Sequence, residues 1–278
     1  MKIVEQFIES KTGRIETCED AIYADDNFIA IVDGVSSKTD KKWNNKTPGQ
    51  IAVNCIIDCI PTIDPNAEAF EFFSACNSSI HNWYDTNTIT IEMAYHINHR
   101  CGASMIVYSQ AKRQLWIIGS GLAIIGTEYI NSPLLIEDIC SQVRSYFIQS
   151  EIIRGVPEEE LKILDTGREY IKPLLVRQIM FQNSDIPSDF NFYVIDGFFK
   201  NPQGVQIADI PENLKEIVIA SDGYPEIFDS LDKTELFLKN VIKDDPLCYK
   251  RYKTTKGVQQ GNISFDDRSY VKISLENK

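Results

Sequence analysis

Apolar and polar positions along the chain group into short strand-like runs and longer helical stretches, and the two kinds cluster rather than alternate. Residues 2–8 read as a strand, and "DAIYADDNFIAIV" as an alternating strand, a polar turn and a continuously apolar strand, that is, a hairpin. "TPGQIAVNCIIDCI" starts a helix at Thr47 or Pro48, and a second helix covers about 66–84. "CGASMIVYSQAKRQLWIIGSGLAIIG" supplies three strands around a polar turn, and residues 133–180 are mostly helical, with a helix start at "VPEEELK". "FNFYVID", "GVQIADI" and "EIVIAS" read as strands, "DKTELFLKNVIK" as a helix and "RSYVKISL" as the last strand. Short turns between strands, with no strict strand–helix–strand alternation, favour antiparallel sheets with helices segregated onto their faces, an α+β layered architecture. No linker, repeat or glycine-rich phosphate loop interrupts the 278 residues, so one domain is expected over 1–278.

Charge narrows the function classes. A net charge of -12 disfavours nucleic acid and anionic membrane surfaces, which are bound through Lys and Arg. No run of 18 apolar residues predicts a membrane span, and "MKIVEQFIES" lacks the pattern of a signal peptide. The seven cysteines form no CxxC pair and read as buried thiols of a reducing, cytoplasmic protein. His96 and His99, three apart, have no Cys or His at a spacing that would complete a zinc site, so they read as surface residues.

Four strand ends carry acids: Glu19-Asp20 before "AIYA", Asp33-Gly34 after "FIAIV", Asp222-Gly223 after "EIVIA", and Asp266-Asp267 before "RSYVKI". Either Asp-Gly pair alone is also a plain turn signal. Carboxylates that converge from several strands repel one another unless a cation lies between them, and hard oxygen ligands suit Mg2+ or Mn2+.

The ordered set "CEDAIYADDNFIAIVDGVSS", "GASMIVYSQAKRQLWIIGSG", "IVIASDGYPEIF" and "SFDDRSYVKI" resembles the metal-dependent type 2C serine/threonine protein phosphatases over about residues 14–274. The resemblance implies a four-layer αββα sandwich: two packed antiparallel sheets flanked by helices, with two Mg2+ or Mn2+ ions at one edge. It implies Asp33 as bridging ligand, Asp222 and Asp266 on the first ion, Glu19 and the Gly34 carbonyl on the second, and Asp20 orienting metal-bound water. The substrate it implies is a phosphorylated protein, acted on by a monomer.

The pattern also departs from that family. The usual phosphate-gripping Arg falls at Ile15, with Arg14 one residue early as its replacement. Val35 stands where some members have a His. Ser120 stands where an Asp helps bind a third ion, and Asp267 is a fallback for Asp266. Residues 127–200 match least and read as a variable helical flap. Lys38, Lys41, Lys42 and Trp43 read either as a basic wall or as a solvated loop. These departures leave two alternatives beside a protein phosphatase: a phosphatase fold that binds a phosphoprotein without turnover, and an enzyme for a small phosphorylated metabolite.

Overall fold

In a computed structural model of the chain, residues 1–36 and 41–276 are described. Among these residues ten strands form two five-stranded antiparallel sheets. One sheet is ordered β1 (Lys2–Glu9), β10 (Arg268–Ser274), β9 (Glu216–Ala220), β6 (Leu122–Ile125), β7 (Glu128–Asn131). The other is ordered β2 (Asp20–Ala24), β3 (Phe28–Gly34), β4 (Ala103–Ser109), β5 (Gln114–Ile118), β8 (Gln206–Asp209).

The continuously apolar strands are buried on both faces, and successive side chains serve different layers. Along β3, Ile29 and Ile31 meet Ile217, Ile219, Val271 and Ile273 of the opposite sheet. Phe28, Ala30 and Val32 face outward, where α1 (Pro48–Cys59) and α2 (Ala69–Thr86) cover them with Ile56, Phe72 and Phe73. Along β9, Val218 and Ala220 turn the other way, onto Leu238 of α7 (Leu231–Asp244) and onto Tyr224 and Phe265. The layers are thus helix, sheet, sheet, helix, the αββα arrangement that the resemblance implies. α1 starts as read from the sequence, with Pro48 in its first turn and a capping box of Thr47 with Gln50.

The stretch 127–200, read as a flap, is largely helical. It holds α4 (Leu135–Ile153), α5 (Glu158–Ile163) and α6 (Thr166–Arg177), α3 being the short helix Thr90–Tyr95 before β4. Its buried apolar residues form two small clusters, one of them shared with Leu247 and Tyr249 from the loop after α7 (Leu231–Asp244).

One predicted strand does not form. "FNFYVID" makes only isolated bridges, Phe192 with Gln182 and Ile195 with Ala103. Its backbone and that of the next residue are tied by side chains instead: the Val194 N–H donates to Asn183 Oδ1, and the Gly197 N–H to Asn77 Oδ1. Side-chain amides, one of them distant in sequence, took backbone groups that a ladder would need. The seven cysteines are free thiols. Among the described residues no helix is long and apolar enough to cross a membrane.

Candidate active site

Asp20 and Asp33 are register partners across β2 and β3, so the first two acidic strand ends lie side by side. Gly34 ends β3 with its N–H donated to the Glu19 carbonyl at 2.8 Å. A Cβ at Gly34 would lie 2.7 Å from that carbonyl oxygen and 2.8 Å from the Gly49 carbonyl of α1. Only glycine allows this approach. The other two acidic ends meet in the same way. A Cβ at Gly223 would lie 1.9 Å from the Asp267 carbonyl oxygen.

Asp33, Asp222 and Asp266 line one cavity of about 130 Å³ between the sandwich edge and the flap. A cavity of about 250 Å³ adjoins it and shares Ser120, Asp222, Thr255, Lys256 and Asp266. Burial raises the Asp33 carboxyl well above its ordinary value, and the charges of Asp20, Asp222 and Asp266 raise it further. Asp222 is raised by burial and by the charges of Asp266 and Glu137, while Asp33 and Ser120 beside it pull it down. Burial raises Asp20 to about 7, against the hydroxyls of Ser269 and Ser221. Those hydroxyls donate to Asp20 Oδ2 at 2.7 Å each. Among the described residues the buried Asp20 Oδ1 has no hydrogen-bond partner.

Sequence reasoning missed three cations here. Lys11 Nζ lies 3.5 Å from Glu19, 3.5 Å from Asp266 and 3.4 Å from Asp267. Lys256 Nζ lies 2.5 Å from Asp266 Oδ2. Burial opposes ionisation of Asp266, but Lys256 and Lys11 outweigh it and hold the carboxyl below its ordinary value. Arg168, in the first turn of α6, lines the cavity with Asp33, Asp222 and Asp266. No local pattern marks these residues: Lys11 and Arg168 stand in ordinary polar stretches, and Lys256 closes a basic run, "KRYKTTK", that points to no particular carboxylate.

The remaining predicted residues are distributed as follows. Glu19 is buried at the edge of the cluster, where Thr47 donates to Oε1 at 2.5 Å and Ser36 to Oε2 at 2.9 Å. Asp267 accepts the backbone N–H groups of Lys11 and Glu19, which makes it a brace between strand ends. Arg14 is exposed beside a 3-10 turn and lines neither cavity. Val35 lines the cavity and donates its N–H to the Gly102 carbonyl. His99 pairs with Glu92 and stacks with His96. Trp43 packs edge-on against Trp83, and Lys41 pairs with Glu92; Lys38 lies outside the described residues.

Among the described residues no three His, Cys, Asp or Glu side chains are already spaced as a metal cage. The donor set still fits one divalent cation. Asp33, Asp222 and Asp266 offer hard carboxylate oxygens to one cavity; burial and mutual repulsion hold Asp33 and Asp222 back from ionising, Lys256 and Lys11 keep Asp266 ionised, and among the described residues Asp20 Oδ1 lacks a partner. The Glu19 side is less open, because Thr47, Ser36 and Lys11 engage both of its oxygens.

This electrostatics sets a pH dependence for the metal-free protein. Asp20 has a folded value of about 7 against 3.8 unfolded. A raised carboxyl stabilises the fold fully below its unfolded value and loses that contribution as pH rises through the folded value. Asp33 and Asp222 act in the same direction. In chelator, the melting temperature should therefore fall by roughly 5–10 °C between pH 5 and pH 8, and Mn2+ should reverse the fall at pH 8. A melting temperature in chelator that rises across that window would contradict the assignment.

No protein-family model matches the chain, and no curated protein matches it. Solved structures do. The serine/threonine phosphatase Stp1 from Staphylococcus aureus is similar over 100% of this chain and 96% of its own, at 10% identity and a TM-score of 0.50. The Mycobacterium tuberculosis serine/threonine phosphatase PstP/Ppp is similar over 98% of both chains, at 14% identity and a TM-score of 0.48. The sandwich described above is thus the fold seen in Stp1, a serine/threonine phosphatase. At this level of identity the likeness concerns the fold.

Proposed function

We propose that this chain is a metal-dependent phosphatase acting on phosphoserine or phosphothreonine in proteins. The observation that carries the reading is the placement of Asp33, Asp222 and Asp266, from three separate strand ends, in one cavity of a fold shared with a serine/threonine phosphatase. Asp33, Asp222 and Asp266 would hold Mg2+ or Mn2+. A second ion at Glu19 and the Gly34 carbonyl requires Lys11 and Ser36 to release Glu19. When bound, such ions supply Lewis acidity and an acidified water at neutral pH. Asp20 lines neither cavity but pairs in register with Asp33; anchored through Oδ2 by two serines, its Oδ1, without a hydrogen-bond partner among the described residues, would orient a water proton. Ser120 stands beside Asp222 as a neutral donor. The buried cysteines have no part in this scheme.

The test is hydrolysis of p-nitrophenyl phosphate and of a phosphothreonine peptide, with Mn2+ added or chelated, for wild type beside Asp222→Asn. Mn2+-dependent turnover that disappears in the variant supports the reading. Turnover of the small ester with none of the peptide points to a phosphorylated metabolite instead.

The lysines support a second reading. With Lys11 and Lys256 neutralising Asp266 and Glu19, the cluster is partly compensated without a metal, as suits a phosphatase fold that binds a partner and does not turn over. If the lysines only compete with the ion, Lys11→Met should tighten Mn2+ about 5- to 100-fold by removing a cation from beside the site, as isothermal calorimetry would read. Unchanged affinity would mean that Lys11 lies outside the ion's field.

A further inference from the structure

We propose that Arg168 is the phosphate-binding side chain of this site, in the role for which the sequence offered Arg14. The assignment rests on the phosphatase reading and adds a residue that the sequence pattern does not mark. Arg168 forms part of the wall of the cavity that Asp33, Asp222 and Asp266 also line.

Its position is fixed from two sides. Asp165 caps α6 by accepting the Arg168 backbone N–H at 2.8 Å. Arg144 grips Asp165 through Nε and Nη2, at 3.0 Å and 2.6 Å to Oδ2. The same guanidinium donates to the carbonyls of Leu247, Cys248 and Thr254, which sets the loop that carries Thr255. Arg168 Nη1 then donates to the Thr255 carbonyl at 2.7 Å.

That contact uses one nitrogen. Arg168 forms no ion pair among the described residues, and Nε and Nη2 make no hydrogen bond to them. A guanidinium with an open edge in an acid-lined cavity is suited to a phosphoryl group, whose oxygens accept two parallel hydrogen bonds. The other cations nearby are committed. Arg100 lines the same cavity but spends Nη1 on Asp196 at 3.0 Å and Nε on the Met93 carbonyl. Lys256 is paired with Asp266.

The experiment measures binding of inorganic phosphate to the full chain by calorimetry, with Mn2+ and with chelator. Arg168→Ala should weaken phosphate about 10- to 100-fold, Arg168→Lys less, and Arg14→Ala less than about twofold, with Mn2+ affinity unchanged in all three. Should Arg168→Ala fail to fold, Arg168→Gln, which keeps a donor for the Thr255 carbonyl, decides by the same loss. Phosphate binding within twofold of wild type in these variants overturns the assignment, and so does a wild type that binds no phosphate. If that unaffected binding still requires Mn2+, the phosphatase reading survives without Arg168. If binding requires Arg168 but not Mn2+, Arg168 stands and the metal-dependent reading falls.

Discussion

Asp33→Asn should lower Mn2+-dependent hydrolysis by at least about 1000-fold, and should also raise the melting temperature of the metal-free protein at pH 8. Both effects have one cause. Asp33 is buried among Asp20, Asp222 and Asp266, and its carboxyl is raised by burial and by their charges. Holding that group ionised costs the empty fold stability, which an amide does not. The amide can still hydrogen-bond Asp222, so the packing is kept. An amide oxygen is a much weaker ligand for Mg2+ or Mn2+, so the function is lost. The paired readout separates this account from a structural one. Were Asp33 merely a turn residue, Asp33→Asn would change activity little; were it a structural brace, the variant would melt lower.

The second large effect is on stability. Arg144→Met should cost about 3–5 kcal/mol, or roughly 6–20 °C in melting temperature, because it strands a buried carboxylate. Arg144 is fully buried, and it satisfies both Asp165 oxygens and three backbone carbonyls from residues 247–254. Arg144 and Asp165 both lie in the flap, so the ion pair joins α4 to α6, while the three carbonyl bonds and the packing of Leu247 and Tyr249 on Ile148 and Leu161 tie the flap to the loop after α7. Replacing both partners, Arg144→Met with Asp165→Leu, should recover much of the loss, since no charge is then left unpaired. A single variant that melts within about 2 °C of wild type would show that the clamp is not what holds the flap. Activity should fall with Arg144→Met as well, because the same clamp positions Arg168 and Thr255 at the cavity.

The layered fold was readable because a strand buried on both faces leaves a plain signature. "FIAIV" and "EIVIA" are apolar at every position, and each alternate residue serves a different layer. The acid at the end of each such strand was readable for the same reason: a strand fixed in a core has little freedom at its tip. "FNFYVID" carried a similar signal and failed, since Asn77 and Asn183 supply partners for nearby backbone groups from far along the chain or across a loop.

The sequence by itself therefore determined the two sheets, the helices that cover them and the strand-end carboxylates, all of which depend on local periodicity and turn chemistry. Only the tertiary structure decided which cations face those carboxylates. Lys11, Lys256 and Arg168 come from a loop, a second loop and the first turn of a helix. A lone Lys or Arg has no periodicity. Its partner is set by how distant segments pack, and the Arg144–Asp165 ion pair that fixes two of those segments joins residues 21 apart that no local pattern connects.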